Sequence, residues 1–197
     1  MASVVLVVLA YLIGSASFAV IVSSVFGLPD PRSYGSGNPG ATNVLRSGKK
    51  TAAALTLTGD VMKGVIAVWL AKLLAPEVGA GSGVVPLAGL AAFLGHLYPV
   101  FFRFQGGKGV ATAAGILFAF SVPVGLTVMV AWVAMFAVTR ISSVGALVAS
   151  IAAPAAGWFF LGNGPYTAVI LAMAVLLIWR HRANIRKLLE GTEGKVV

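Results

Sequence analysis

The chain has 197 residues, of which 59% are hydrophobic and 10% are charged, with 14 basic residues against five acidic ones. Soluble domains usually carry about 25% charged residues, so this composition excludes a soluble globule and predicts an integral membrane protein. The absence of cysteine excludes disulfides and thiolate chemistry, and two histidines with five acids argue against a metal site, so we expect no metal and no cofactor.

Apolar runs long enough for membrane helices occupy most of the chain. No basic residue precedes the first run, which we interpret as a retained helix rather than a secretory signal. Residues 110–139 are too long for one crossing, and we divide them at Ser121–Pro123 because proline disfavours helix in the residue before it. The predicted spans are 2–26, 51–75, 83–102, 110–120, 122–139, 144–161 and 165–179.

Positive charge is distributed unevenly among the connections. Seven crossings with the N-terminus outside place residues 27–50, 103–109, 140–143 and 180–197 on the cytoplasmic side, where they hold 12 of the 14 basic residues. The outer connections contain no lysine or arginine, as the positive-inside rule requires. We therefore predict an all-α polytopic membrane protein with seven transmembrane helices, an external N-terminus and a cytoplasmic C-terminus. Residues 1–197 form one membrane-embedded domain in this interpretation, because no room remains for a soluble one.

The net charge of +9 has two explanations that can coexist. Basic residues fix the orientation of a membrane protein, and some of them can bind an anionic substrate. A nucleic-acid partner, which such a charge would suggest in a soluble protein, is not expected here.

The first polar cluster lies in the predicted cytoplasmic segment at residues 35–46. Its glycines allow backbone amides to approach a ligand, and successive amides can cradle an anion. An ordinary loop with glycine and asparagine in turns is the structural alternative. The candidate ligand-binding residues are Ser36, Gly37, Asn38, Gly40, Thr42, Asn43 and Arg46.

The second cluster is a Gly-Gly-Lys-Gly sequence directly before a predicted helix. Amides at a helix N-terminus favour phosphate, and Lys108 adds a full charge. It is not a Walker loop, because Gly109 occupies the Ser or Thr position. Lys108 could instead be a topology-setting cation, and His96 a helix-end residue. The candidates here are His96, Gly106, Gly107, Lys108, Gly109 and Thr112.

The third cluster, residues 180–191, places His181 and Asn184 on one side of a helix. A basic amphipathic helix at anionic headgroups is the structural alternative, and Arg182 fits either interpretation.

Asp60 and Lys63 lie three residues apart within an apolar run, where they either pair with each other or serve the site. Ser142 and Ser143 either cap the helix predicted to begin near Val144 or bind ligand.

These three clusters resemble the three motifs of the PlsY family, the bacterial membrane glycerol-3-phosphate acyltransferases. The resemblance covers the chain in length, order and spacing, and Asp60-x-x-Lys63-Gly64 also matches. It implies acyl transfer from acyl-phosphate to the 1-hydroxyl of sn-glycerol 3-phosphate, giving lysophosphatidic acid and phosphate in the first step of phospholipid synthesis. It also implies a multi-pass protein of the cell inner membrane whose active site faces the cytoplasm, and a functional link to an enzyme that produces acyl-phosphate.

The resemblance and the residue patterns together give the site residues, and Lys63, His96, Thr112, Ser142 and Arg182 rest on the residue patterns alone. Lys108, His181, Asn184 and Arg46 are the expected catalytic residues. The expected substrate-binding residues are Ser36, Gly37, Asn38, Gly40, Thr42, Asn43, Lys63, His96, Gly106, Gly107, Gly109, Thr112, Ser142, Ser143 and Arg182. Gln105 departs from the family, many members of which have lysine there.

Two other functions share some of these features. A transporter of an organic phosphate would share the cations and the membrane, but the chain shows no internal repeat and no polar cluster on the outer side. An enzyme attaching phosphatidyl groups to alcohols would need an Asp-rich metal motif. The His-x-x-x-x-Asp signature of other glycerolipid acyltransferases is absent, because Phe101 and Arg186 stand where aspartate would be.

Overall fold

The computed structural model describes residues 1–196, and within them it contains helices but no strands. This confirms the predicted all-α class. In chain order the helices are α1 (Ala2–Gly14), α2 (Phe18–Val25), α3 (Ala41–Leu45), α4 (Lys50–Glu77), α5 (Val84–Leu97), a 3-10 turn (Val100–Phe102), α6 (Val110–Phe120), α7 (Val122–Thr139), α8 (Ser142–Leu161), α9 (Pro165–Arg180) and α10 (Arg182–Leu189).

Four segments are each long and apolar enough to cross a membrane, namely α4, Val84–Phe102, α7 and α8. The pairs α1–α2 and α9–α10 reach that length only together, with bends of 42° and 55°. Helix α6 has only 11 residues. The described structure therefore supports four to six spans by length and composition, while the seventh crossing and the orientation remain predictions.

The breaks between helices agree with the sequence at one place and differ at another. Helix α6 ends at Phe120 and α7 begins at Val122, with extended backbone at Ser121, as predicted from Pro123. The first run was expected to be one helix, but it is interrupted at Ser15–Ser17. The interruption leaves the Ala16 carbonyl available to the Lys63 ammonium, which lies 2.7 Å away.

Residues Met1–Ala119 form one compact unit. Its helices approach through glycine, as is common in membrane proteins where small residues let backbones pack closely. A Cβ at Gly14 would collide with the backbone of Ala92, and one at Gly64 would collide with the Thr112 carbonyl. Large apolar side chains such as Trp69 face outward instead. Close helix contacts at glycine together with large apolar side chains on the outer surface suit a lipid environment, while Phe93, Leu97 and Ile116 fill the interior of the unit.

The second compact unit runs from Phe120 to the C-terminus. Helix α8 packs between α7 and α9, and a Cβ at Gly145 would press on the Trp132 carbonyl at 2.9 Å. The C-terminal tail follows α10 and returns to the end of α7, where the Val196 amide donates to the Arg140 carbonyl at 2.8 Å.

Candidate active site

Asn43 organises the first polar loop. Its side chain is 2% exposed, and its Oδ1 accepts a hydrogen bond from the Ser36 amide at 2.9 Å. Its Nδ2 donates to the carbonyls of Pro31 at 2.7 Å and Tyr34 at 3.2 Å. In the structure the Asn43 amide holds the loop in shape, and its predicted contact with ligand remains a prediction.

The remaining candidates of this loop are more accessible. Gly35 and Gly37 have φ of +58° and +66°, a conformation that favours glycine. Arg46 follows α3, and its side chain is exposed and packs beside Gly35. The other candidates, which lie on this loop or on α3 and are at least partly accessible, are Ser36, Asn38, Gly40 and Thr42. Accessible polar groups on a loop fixed from within can receive a ligand.

The second polar loop, residues 105–109, runs directly into the N-terminus of α6 as the sequence predicted. Gly109 has φ of +90°, and a Cβ there would collide with the Phe93 ring. The Gly107 amide donates to the His96 carbonyl at 3.1 Å. Lys108 is half-buried between these two glycines.

The two loops lie against each other at Gly107. A Cβ on Gly107 would lie 3.0 Å from the Pro39 carbonyl oxygen and would collide with His96 Nε2. The fold thus brings together two clusters that are about 60 residues apart in the sequence. Both loops contain glycine and carry a cation: Arg46 follows the first loop and Lys108 lies within the second.

Asp60 and Lys63 form a buried ion pair on α4. Their side chains are 3% and 2% exposed, and Lys63 Nζ lies 2.8 Å from Asp60 Oδ1. Asp60 and Lys63 therefore pair with each other, which was one of the two interpretations of their spacing. A contact of Lys63 with substrate remains a prediction. His96 Nδ1 lies 3.5 Å from the same Asp60 oxygen and 3.1 Å from Thr112 Oγ1.

The contact between Asp60 and His96 is one that sequence reasoning missed. It does not create a Ser-His-acid triad, because the carboxylate and the Thr112 hydroxyl both face Nδ1. A triad needs the acid and the nucleophile on opposite ring nitrogens.

Arg32 connects the first polar loop with the 3-10 turn Val100–Phe102, which precedes the second polar loop. Its guanidinium donates to both oxygens of Asp30, at 2.6 Å for the shortest contact, and to the Phe102 carbonyl at 3.3 Å. These hydrogen bonds from Arg32 hold the pKa of the Asp30 carboxyl below its ordinary value. An open cavity of about 400 Å³ beside this pair is lined by Arg32, Phe101, Phe102, Arg103 and Gln105.

Replacing Asp30 with asparagine is expected to lower the free energy of unfolding at pH 7 by less than about 1 kcal/mol, since the pair is partly exposed. Because the folded-state pKa of Asp30 is depressed, its contribution is complete above the unfolded pKa of about 3.9. It is lost as the pH falls through the folded-state pKa. The difference between the thermal midpoints of the two proteins should therefore be largest near pH 7 and should shrink as the pH falls below about 3.9. A difference that stays constant from pH 7 to pH 3 would contradict the charge assignment.

In the second unit, His181 lies at the junction of α9 and α10 and is 3% exposed. Its Nδ1 lies 2.8 Å from the Leu177 carbonyl oxygen. A carbonyl can only accept, so Nδ1 carries the proton and the basic lone pair of the neutral ring is on Nε2.

Glu193 in the C-terminal tail holds two of the predicted site residues. Its Oε1 accepts hydrogen bonds from Ser143 Oγ at 2.8 Å and Asn184 Nδ2 at 2.6 Å. Sequence reasoning did not select Glu193, because nothing in a tail of mixed composition points to a partner 50 residues away. Of the two interpretations of Ser142 and Ser143, the helix cap is wrong, because α8 begins at Ser142, its N-cap is Ile141 and no side-chain cap bond forms; ligand binding by these serines remains a prediction.

Arg182 lies on the indole of Trp179. Its guanidinium carbon is 4.5 Å from the ring centroid, and its Nη1 donates to the Trp179 carbonyl at 3.4 Å. Cation–π contact of an exposed arginine with tryptophan is typical of an interfacial anchor. The described contacts thus favour the headgroup interpretation of this arginine, and its role in binding substrate remains a prediction.

Comparison with known proteins gives consistent results. A family model for glycerol-3-phosphate acyltransferase matches residues 4–191. The chain is 56% identical to a glycerol-3-phosphate acyltransferase of Methylobacillus flagellatus, covering 98% of this chain and 97% of the relative. It is 57% identical to the enzyme of the same name from Thiobacillus denitrificans, covering 97% and 96%.

Solved structures show the same relationship. The fold matches PlsY (YgiH), an integral membrane glycerol 3-phosphate acyltransferase, in its glycerol 3-phosphate form with a TM-score of 0.91 and 38% identity over 99% of this chain and 96% of the other. The lysophosphatidic acid form of PlsY matches with a TM-score of 0.88 at the same identity, over 99% and 95% of the two chains.

Proposed function

The chain belongs to the PlsY family of glycerol-3-phosphate acyltransferases, and from that membership we propose that it moves a fatty acyl group from acyl-phosphate to the 1-hydroxyl of sn-glycerol 3-phosphate. The products are lysophosphatidic acid and inorganic phosphate. The related PlsY structures in glycerol 3-phosphate and lysophosphatidic acid forms support this acceptor and this product. Family membership also favours an enzyme over a transporter of organic phosphate.

The observation that carries the proposal is the contact of the two glycine-containing loops at Gly107 and Pro39. Both substrates carry phosphate, so the site needs amides and cations in a water-poor setting. Loop 105–109 supplies amides at the start of α6 together with Lys108. The first loop supplies accessible polar groups and Arg46.

In the proposed reaction the 1-hydroxyl oxygen attacks the acyl carbonyl carbon, and the carbon–oxygen bond to phosphate then breaks. Acyl-phosphate is already activated and phosphate leaves readily, so no covalent enzyme intermediate is required. Lys108, Arg46 and the loop amides stabilise the oxyanion and the departing phosphate. Asn184 and His181 orient glycerol 3-phosphate.

The hydroxyl proton passes to a phosphate oxygen of a substrate, because phosphate monoesters have a second pKa near 6. His181 is the competing acceptor, since its Nε2 carries the basic lone pair.

Replacing His181 with asparagine separates the two acceptors. The asparagine amide can keep the hydrogen bond to the Leu177 carbonyl but has no basic nitrogen. Steady-state kinetics are expected to show a higher KM for glycerol 3-phosphate and a kcat within about 10-fold of the parent. A fall in kcat of about 100-fold or more, with KM unchanged, would assign the base role to His181.

We also propose that the protein lies in the bacterial inner membrane with seven crossings and the site facing the cytoplasm, which the one-sided distribution of its basic residues supports. The cysteine-free chain allows a direct test with Ser82→Cys and Thr192→Cys, both at exposed positions. An impermeant thiol reagent should label position 82 from outside intact cells and position 192 only in inverted vesicles. The reverse pattern would overturn the orientation.

Acyl-phosphate is a reactive mixed anhydride, so another enzyme must supply it at the membrane. The regiochemistry is tested by NMR of the product formed from palmitoyl-phosphate and glycerol 3-phosphate. An acyl ester on carbon 1 supports the proposal, and an ester on carbon 2 or the absence of an ester contradicts it.

A further inference from the structure

Two charged side chains lie inside a helix that is apolar enough to cross a membrane. Asp60 and Lys63 are both at most 3% exposed, and their contact of 2.8 Å forms a compact neutral pair. Lys63 Nζ also donates to the Ala16 carbonyl at 2.7 Å, at the interruption between α1 and α2. Ionisable groups within a membrane helix are costly and usually serve a function. The ion pair and the hydrogen bond of Lys63 to the Ala16 carbonyl hold the Asp60 carboxylate in a fixed position.

His96 connects this pair to the end of α5 and the start of α6. Its Nδ1 lies 3.5 Å from Asp60 Oδ1, a distance for electrostatic attraction rather than a short hydrogen bond. The Thr112 hydroxyl lies 3.1 Å from the same nitrogen. The Asp60 charge favours the tautomer with the proton on Nδ1. Helices α4, α5 and α6 thus fix one edge of the imidazole ring.

The other edge of the ring faces the glycine loop. A Cβ at Gly107 would collide with His96 Nε2, and one at Gly106 would collide with the His96 carbonyl oxygen. The Gly107 amide also donates to that carbonyl at 3.1 Å. Because ring and backbone of His96 both contact the loop directly before Lys108, a rotation of the ring would displace the loop.

We propose that Asp60 is a positioning residue for acyl transfer, which acts through His96 on loop 105–109 and thereby on Lys108. The proposal rests on the function proposed above, in which this loop holds a substrate phosphate. Positioning groups behind a site commonly determine its geometry, and a misplacement of about 1 Å can cost roughly 100-fold in rate. The buried pair would otherwise serve only to hold the helices together.

Thr112→Val tests the network with little change in side-chain volume, and Thr56→Val is its matched control. Both threonines are fully buried. The Thr112 hydroxyl contacts His96, whereas the Thr56 hydroxyl, on α4 one turn before Asp60, has no hydrogen-bond partner among residues 1–196. A general effect of losing a buried hydroxyl should therefore be the same in both variants.

Hydrogen–deuterium exchange of the peptide covering residues 103–110 and steady-state kinetics are measured on the full-length proteins in lipid nanodiscs. Thr112→Val and Asp60→Asn are each expected to accelerate exchange in that peptide and to lower kcat by roughly 10- to 100-fold. KM for glycerol 3-phosphate should change by less than about 3-fold, since its other contacts remain. Thr56→Val should change neither quantity.

Combining Asp60→Asn with Thr112→Val should cost less than the product of the single effects, because both act through one ring. Unchanged loop exchange and parental kcat in Thr112→Val, or equal effects of the two threonine variants, would overturn the proposal. The exchange measurement needs no acyl-phosphate. Altered exchange in a protein that shows no acyl transfer would therefore refute the proposed function while retaining the link from the network to the loop.

Discussion

Replacing Lys108 with methionine is expected to lower kcat/KM about a thousand-fold, with kcat falling by a similar factor. Methionine keeps much of the apolar stem but removes the charge from the loop that begins α6. Loss of one preorganised group that stabilises developing negative charge commonly costs 100- to 1,000-fold, or about 3–4 kcal/mol. Equal losses in kcat and kcat/KM would show that the contact is made in the transition state.

Lys50→Met is the matched control for this prediction. It removes the same charge from the same predicted membrane face, but Lys50 is exposed at the start of α4 and lies outside the candidate site. We expect its activity to remain within about 3-fold of the parent, as for surface changes away from functional groups. Near-normal turnover of Lys108→Met would refute the electrostatic mechanism, because the cation would then serve orientation only.

Replacing Lys63 with methionine is expected to lower the free energy of unfolding by about 3–5 kcal/mol, because removal of one partner of a buried pair leaves an uncompensated charge. The Asp60 carboxylate would lose its contact at 2.8 Å, and the Ala16 carbonyl would lose its donor. The measurement is unfolding by SDS in dodecylmaltoside micelles.

Two further variants show whether the buried charge is the cause. Lys72 lies on the same helix, but its side chain is exposed and donates to the Ala119 carbonyl, so Lys72→Met should change stability by less than about 1 kcal/mol. The double change Asp60→Asn with Lys63→Met removes both charges and should recover part of the lost stability. A stability of Lys63→Met equal to that of Lys72→Met would contradict a buried ion pair.

Local chemistry in the sequence was sufficient to predict part of the fold. Pro123 indicated the interruption that the structure shows at Ser121, and the spacing of Asp60 and Lys63 allowed their pairing. The Gly-Gly-Lys-Gly sequence was predicted to precede a helix, and α6 does begin at Val110. Each of these features depends on residues within a few positions of one another.

The features that were missed depend on contacts between distant segments. The interruption at Ser15–Ser17 lies within residues 2–26, which contain no charged residue and no proline, and the Ala16 carbonyl exposed there contacts Lys63, 47 residues away. Asp60 and His96 are also on different helices. Hydrophobic periodicity identifies helices but does not state which polar groups meet between them.

In the candidate site, too, local features were predicted and contacts between distant segments were missed. Its two loops were identified by glycine and by charge, but the sequence could not distinguish a residue that binds ligand from one that shapes a loop. Asn43 shapes its loop, since its side-chain amide contacts three backbone groups there, and its contact with ligand stays a prediction. Ser143, rather than Ser142, reaches Glu193, and this contact depends on how the tail returns to α8.

The most direct test of acyl-phosphate-dependent transfer is phosphate release from palmitoyl-phosphate by the purified protein in lipid nanodiscs, with and without glycerol 3-phosphate. The proposed reaction predicts release that requires glycerol 3-phosphate, one phosphate for each lysophosphatidic acid formed, and no acyl transfer when palmitoyl-CoA replaces palmitoyl-phosphate. Equal acylation from palmitoyl-CoA, or phosphate release that is independent of glycerol 3-phosphate, would contradict it.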